Sequence, residues 1–365
     1  MTNIELIDLK KEREKGFVIF SEKTKSILEK NQKNQQPIIL FINRKALATS
    51  IVCEDCGFVF SCSNCDVPLT LHLIDNKRQL ICHHCGFSQK VFDICPDCQS
   101  HRLKALGIGT ERVALELKKI NPSLNFIIFQ SEKDYKEDYN LTREKIELFN
   151  KRKTPVLIGT DAIFKPQLKK VPISIVVSID NLLFLPNYDS EEKVFSTLSR
   201  LKNLTTDQLI IQTMVPDKKI FIYFQNNQKE LFYQEELSWR EKYHFPPFYQ
   251  LVKIGYEAKD EQKTLRTIQK IVDLLKNRLE RNHLEKKFEV IGPTPAFVFK
   301  KKGYYHYHFI LKMKYELEIM KNLSFDAGLN NLSPMITKEE IKFRNNLLKI
   351  IPSDFQIEVD PDDIL

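Results

Sequence analysis

The chain has 365 residues, 42% of them hydrophobic, and 56 lysines and arginines against 48 acidic residues leave a formal charge of +8. That length suits two or three domains better than one core. No apolar run approaches membrane-spanning length, so the reading is a soluble, cytoplasmic protein with no membrane partner; the mild basic excess fits a polyanionic partner and fits a solvated surface equally well.

In chain order, Ser21 is an N-cap for a polar helix reaching Asn34, and Ile38–Ile42 is an apolar run of the kind buried on both faces. Past the cysteine-rich stretch, Gly107-Ile108-Gly109-Thr110 opens a helix that ends near Asn121-Pro122. Short apolar strands then alternate with helices: 126–129, a charged helix over 138–152, strands at 156–158 and 173–179, a helix over 190–201, and a strand at 209–211. Such alternation predicts an open, mainly parallel sheet covered on both faces. The pattern changes near Gln234. A strand at 251–256 precedes a helix over 262–281 with Leu265, Ile268, Ile271, Val272, Leu275 and Leu279 on one face. Strands at 288–291, 296–299, 305–312 and 355–359, with a helix before the last, complete a small α+β domain. The expected fold class is α/β: a parallel-sheet lobe over 1–50 and 102–233, a module inserted at 51–101, and an α+β domain over 234–365.

All eight cysteines lie in that inserted stretch as four Cys-x-x-Cys pairs: Cys53/Cys56, Cys62/Cys65, Cys82/Cys85 and Cys95/Cys98. Each pair presents two thiolates from one tight loop, half of a tetrahedral shell, so four pairs make two closed Cys₄ zinc sites of structural type. Joining neighbouring pairs leaves a cramped loop between Cys56 and Cys62. The inner pairs give the usual ribbon spacing, which favours a nested plan: Cys62, Cys65, Cys82 and Cys85 on one ion, Cys53, Cys56, Cys95 and Cys98 on the other. A crossed plan, first pair with third and second with fourth, competes with it. His83 and His84 could each replace a cysteine, although the cysteine set is already complete. Disulfides do not suit a chain read as cytosolic.

The order of these motifs resembles the carboxy-terminal half of the primosomal protein N′ family, bacterial replication-restart DNA helicases. The matching stretches are LFINRKALA (40–48), the four knuckles, GIGTER (107–112), VLIGTDAIFK (156–165), IDNLLFLPNYDSEEKVF (179–195), LIIQT (209–213), ELSWREKYHFPPF (236–248), VIGPTPAFVFKKKGYYHY (290–307) and IEVDP (357–361). The resemblance implies a second RecA-like helicase lobe carrying a two-zinc insertion with nested pairing. It also implies a last domain that engages DNA and other primosome proteins.

Against that pattern, no Gly-Lys dipeptide of a phosphate-cradling loop occurs, so ATP is not an expected cofactor and an independent helicase activity is not expected. The family's Lys-Gly-x-x-Phe-Pro run is replaced at Lys165-Pro166-Gln167-Leu168. The Gln-Val-Ala-Gly-Arg-Ala-Gly-Arg motif, with its γ-phosphate arginines, is replaced by Leu198-Ser199-Arg200-Leu201-Lys202-Asn203. Loss of such an arginine costs roughly 10³ or more in rate. Where the family places Arg-Trp-Gln, a site associated with the acidic tail of single-stranded DNA-binding protein, this chain has His306-Tyr307-His308, which puts that partner in question. Lys300, Lys301 and Lys302 beside Tyr304 and Tyr305 combine phosphate-pairing charge with stacking faces, the chemistry of single-stranded DNA binding. The alternative is a lysine-rich hairpin that keeps a sheet edge soluble. Arg44 and Lys45 are a second basic candidate. The leading expectation is a zinc-containing protein of replication restart that binds forked or single-stranded DNA. The alternatives are one subunit of a split ATP-dependent helicase and a zinc-ribbon RNA-binding protein.

Overall fold

Branched and aromatic runs too apolar to leave either side wet fix the centre of the first fold element, a parallel sheet. The computed structural model describes residues 2–14, 16–43, 50–65, 67–74, 77–82, 85–129, 139–185, 187–315, 338–361 and 364. Two compact units are found: Met1–Phe60 with Pro68–Leu185 and Lys193–Lys229, and Ser61–Val67 with Pro186–Glu192 and Glu230–Leu365.

The first unit contains, in order, β1 (Asn3–Asp8), α1 (Leu9–Glu12), α2 (Glu22–Asn34), β2 (Ile38–Ile42), the short ribbon strands β3 (Ser50–Cys53), β4 (Thr70–Ile74), β5 (Lys77–Ile81), β6 (Ser88–Lys90) and β7 (Leu103–Leu106), then α3 (Thr110–Ile120), β8 (Phe126–Phe129), α4 (Tyr139–Asn150), β9 (Val156–Gly159), β10 (Val171–Ser178), α5 (Asp180–Leu183), α6 (Ser190–Leu204), β11 (Thr205–Thr213) and α7 (Lys219–Gln225). Six strands form one sheet in the order β1-β11-β10-β2-β9-β8, every pairing parallel. All five side chains of β2 are 0% exposed, as a central strand covered on both faces must be. Leu28 of α2 and Val113, Ala114 and Leu117 of α3 close one face over Leu40, Ile158, Ile175 and Ile210.

Local chemistry explains the boundaries. Ser21 caps α2 by accepting from the Thr24 amide. The cap is itself held by the fully buried Gln212, whose Oε1 accepts from Ser21 N and Thr24 Oγ1 at 2.8 Å each, while its Nε2 donates to Ile19 O at 3.0 Å. A buried amide satisfied on both ends is neutral to stability or better; left unpaired it would cost about 1–3 kcal/mol. Gly159 closes β9 against its neighbours: a Cβ there would lie 2.1 Å from Ile163 Cγ2 and 2.9 Å from Phe129 O.

The second unit holds α8 (Lys229–Lys242), β12 (Tyr249–Ala258), α9 (Glu261–Arg281), β13 (Phe288–Lys301), β14 (Tyr304–Lys314), α10 (Lys338–Leu348) and β15 (Gln356–Val359). Its sheet is antiparallel, β13-β14-β12-β15, and α9 lies on one face. Within α8, Arg240 is fully buried: Nη2 donates to Glu192 Oε2 at 2.7 Å, Nε donates to Glu236 Oε1 at 2.9 Å, and the guanidinium sits 5.2 Å from the Tyr188 ring centre. Burial pushes the Glu236 carboxyl up, and Arg240 opposes that shift.

Two expectations change, and one strand is added to them. β1 carries no apolar run, and only Ile4 of its six residues is buried. The buried stripe of α9 runs Thr264, Ile268, Val272, Leu275, Leu279, and Leu265 is 39% exposed. Thr264 can face inward because its hydroxyl donates to Asp260 O at 2.6 Å, which removes the cost of burying it. The strands expected at 288–291 and 296–299 are one strand, β13, with register shifts against β14 between 291 and 294 and between 295 and 300.

Candidate metal centre

Each knuckle begins with the same turn. The amide of its first cysteine donates to the carbonyl five residues on: Cys53 to Phe58, Cys62 to Val67, Cys82 to Phe87 and Cys95 to Ser100, each at 2.8 Å. In three of them the residue four positions on donates back to the first cysteine's carbonyl: Gly57, Gly86 and Gln99, at 2.9–3.0 Å. Those three residues have φ of +77°, +78° and +58°. A left-handed residue at that position turns the chain so that both sulfurs face one point, which accounts for glycine in two of the pairs.

The sulfurs gather in two groups, Cys53, Cys56, Cys95 and Cys98, and Cys62, Cys65, Cys82 and Cys85, each with all four atoms within 4.8 Å of one another. The first group sits where β3 pairs antiparallel with β7; the second is carried by the three-stranded sheet β4-β5-β6. Cys53 and Cys98 sulfurs are 3.5 Å apart, and Cys56 and Cys95 sulfurs 3.6 Å. A tetrahedron with Zn–S bonds of about 2.3 Å has edges of about 3.8 Å, whereas a disulfide needs about 2.05 Å. The Phe87 amide points at Cys85 Sγ, 3.4 Å away, the kind of outer hydrogen bond that orients a thiolate ligand.

Charge makes the same point. The Cys53 thiol is pulled down to about 7, chiefly by the Cys56 backbone amide. For Cys56 the Phe58 amide pulls down, but burial and the sulfurs of Cys98, Cys95 and Cys53 outweigh it and push the thiol up to about 12. Four sulfurs this close ionise together only around a cation, and a soft divalent ion with no geometric demand beyond four ligands fits the set. Zn²⁺ bound there would supply cross-linking of the ribbon, since a closed Cys₄ shell leaves no position for a substrate. The two clusters support two zinc ions. They differ in exposure: Cys56 and Cys98 of the first are exposed, whereas in the second Cys62, Cys65 and Cys82 are buried and Cys85 is partly exposed.

The other sequence-derived residues scatter. Arg44, Lys45, His83 and His84 lie outside the described residues. Lys302 and Gly303 form the two-residue turn of the β13–β14 hairpin, both with positive φ (+52° and +81°), the geometry that matches strand twist. Lys301 and Lys302 are exposed and Tyr304 is 37% exposed. Tyr305 has its ring against Phe299 and Lys300, so less of it is open. His306 Nδ1 lies 3.1 Å from Glu257, and His308 is buried. Arg200 lies on the α6 surface with its guanidinium 3.9 Å from the Phe164 ring centre and Asp161 nearby.

Fold and site define a class: a parallel α/β lobe bearing a two-zinc ribbon, with an antiparallel α+β unit further along the same chain. Residues 241–361 match the model of the primosomal protein N C-terminal domain, and residues 62–90 match the Cys-rich region domain of PriA DNA helicase. Among curated proteins the chain is 28% identical to replication restart protein PriA of Bacillus subtilis over 87% of this chain and 39% of that protein. It is 30% identical to PriA of Synechocystis over 85% and 37%, and 31% identical to PriA of Borreliella burgdorferi over 86% and 46%. The sequence is thus related to the carboxy-terminal half of PriA, and it spans less than half the length of each of these three relatives.

Proposed function

We propose that the chain is a zinc-containing DNA-binding protein of replication restart. In this reading residues 1–50 and 102–233 form the lobe, 51–101 the inserted zinc module and 234–365 the primosomal α+β domain. Cys53, Cys56, Cys95 and Cys98 ligate one zinc, and Cys62, Cys65, Cys82 and Cys85 the other. Its partners are forked or single-stranded DNA and other primosome proteins, the exchange to His306-Tyr307-His308 counting against single-stranded DNA-binding protein, and it works in the cytoplasm. Among the described residues no helix is long and apolar enough to cross a membrane.

The observation that carries the reading is one chain holding both Cys₄ clusters together with matches to the Cys-rich region and to the C-terminal domain of one family. Lys301, Lys302 and Tyr304 at the exposed hairpin tip supply charge and a ring face for a DNA strand. Two measurements on the intact chain test it. Elemental analysis of the purified protein returns about two zinc ions per chain. Fluorescence anisotropy with a labelled fork gives an affinity that falls linearly in log–log form with salt, because phosphate neutralisation releases counterions. Absent or salt-insensitive fork binding overturns the DNA reading, and preference for structured RNA over the fork replaces it.

A further inference from the structure

The two thiolate clusters differ in a way that holding zinc does not require. In the first, two of the sulfur contacts between knuckles each join an exposed cysteine to a buried one: Cys98 to Cys53 at 3.5 Å, and Cys56 to Cys95 at 3.6 Å. Cys53 is 1% exposed and Cys95 0%. A thiolate open to solvent beside a shielded one is the arrangement of an oxidisable cysteine and its resolving partner. In the second cluster three cysteines are buried, and the fourth, Cys85, takes the Phe87 amide at its sulfur. That hydrogen bond favours the thiolate and so makes it a poorer nucleophile.

The two outer knuckles also face each other through contacts other than metal. β3 pairs with β7 from Ser50 with Leu106 to Cys53 with Leu103, and the Glu54 amide donates to Arg102 O at 2.9 Å. Asp55 accepts from Arg102 Nη1 at 2.6 Å and from Ser100 Oγ. These contacts keep each pair of sulfurs opposed while the bonds to an ion change.

We propose that the first cluster is a site of reversible oxidation by hydroperoxides, with Cys98 and Cys56 as the thiolates that meet the oxidant and Cys53 and Cys95 as their resolving partners. The proposal rests on the zinc reading above. A zinc-bound thiolate is already deprotonated. The Cys98 sulfur attacks one oxygen of hydrogen peroxide, the O–O bond breaks, hydroxide leaves, and the sulfur becomes a sulfenic acid. The Cys53 thiolate then attacks that sulfur and expels a second hydroxide, closing a Cys53–Cys98 disulfide. The two thiolates have given up two electrons and the peroxide has gained them. Cys56 and Cys95 repeat the sequence with a second peroxide, and Zn²⁺, stripped of its four ligands, departs. Each closure moves sulfurs from 3.5 or 3.6 Å to a bond of about 2.05 Å, into space the departing ion gives up. Both disulfides run between knuckles, so the β3–β7 pair keeps a cross-link after the metal is gone. In a reducing compartment such bonds are transient, and a dithiol with Zn²⁺ reverses them.

The test exposes the full zinc-loaded chain to hydrogen peroxide while a weak chromogenic chelator reports free zinc. The expected result is release of one zinc ion of the two, with two peroxides consumed per chain. Cleavage at acidic residues parts Cys53 from Cys56 at Glu54 and Asp55, and Cys95 from Cys98 at Asp97, so mass spectrometry reads the linkages directly as Cys53–Cys98 and Cys56–Cys95. Dimedone present during the reaction should tag Cys56 and Cys98 and leave Cys53 and Cys95 bare. Amide exchange of β3 and β7 should stay slow in the oxidised chain, and dithiothreitol with Zn²⁺ should return the second ion. Release of both ions together, links within a knuckle, or a Cys56–Cys98 link overturns the assignment. So does full retention of zinc at peroxide concentrations that oxidise glutathione. In each of those cases a chain that began with two ions leaves the zinc reading intact; a chain purified without zinc defeats both.

Discussion

The ribbon over β3–β7 and the second unit's sheet are both antiparallel, yet they are held by different means. The ribbon has strands of three to five residues and a small aromatic centre, where buried Phe60 meets Phe58 edge-on and stacks with Phe92. Its ion pairs, Arg102 with Asp55 and Lys104 with Glu54, sit at exposed side chains and contribute little. The second unit packs Ile268, Val272, Leu275 and Leu279 against Val252, Phe309, Leu311 and Met313, and burials of this kind contribute about 1.5–3 kcal/mol per side chain. One region therefore depends on metal, and the other on apolar burial. Small antiparallel pieces need a cross-link where they cannot build a core.

The largest expected effect comes from removing metal. Zinc in a closed thiolate shell is worth about 10–16 kcal/mol of folding free energy near pH 7, so a strong chelator should unfold residues 50–106. Amide hydrogen exchange should lose protection there and keep it in α9 and β14; uniform loss would erase the contrast. Next, Arg240→Met leaves Glu192 and Glu236 buried without their cation and should cost about 3–5 kcal/mol. Denaturant titration should register that loss while zinc content stays at two. Leu275→Ala should cost about 2–5 kcal/mol by opening a cavity, again with zinc unchanged.

A smaller effect separates the two clusters themselves. Cys56 and Cys98 are exposed, so an alkylating or mercurial reagent should release zinc in two phases, the first accompanied by labelling of these two residues in peptide mass spectra. Simultaneous release would make the clusters equivalent. The smallest concerns Gly86: its φ of +78° costs a side chain about 1–2 kcal/mol, although nothing lies within 4 Å of where a Cβ would go. Gly86→Ala should therefore lower zinc retention in a competition assay only slightly, and Gly86→Asn less still.

The parallel lobe was legible because β2 and β9 are apolar runs, β10 and β11 carry apolar stretches at 175–177 and 209–211, and helical segments alternate with them. The cysteine spacing likewise carries its own chemistry. What stayed hidden depends on contacts distant in sequence. β1 is an edge strand whose pairing with β11 needs no apolar run. Arg240 looks like an ordinary helix-surface cation until Glu192, forty-eight positions earlier, arrives beside it; the only local hint is Glu236 one turn before. Gln99 takes the left-handed place that Gly57 and Gly86 fill, and no composition rule marks a glutamine for it.

The nested order of the ligands sets a timetable for assembly. Sixteen residues separate Cys65 from Cys82, and thirty-eight separate Cys56 from Cys95. Closing the shorter loop costs about 0.8 kcal/mol less in chain entropy, and once it is shut the longer one is already drawn together. During synthesis the inner quartet is complete thirteen residues before Cys98 emerges, so the first ion to be captured prepares the seat of the second.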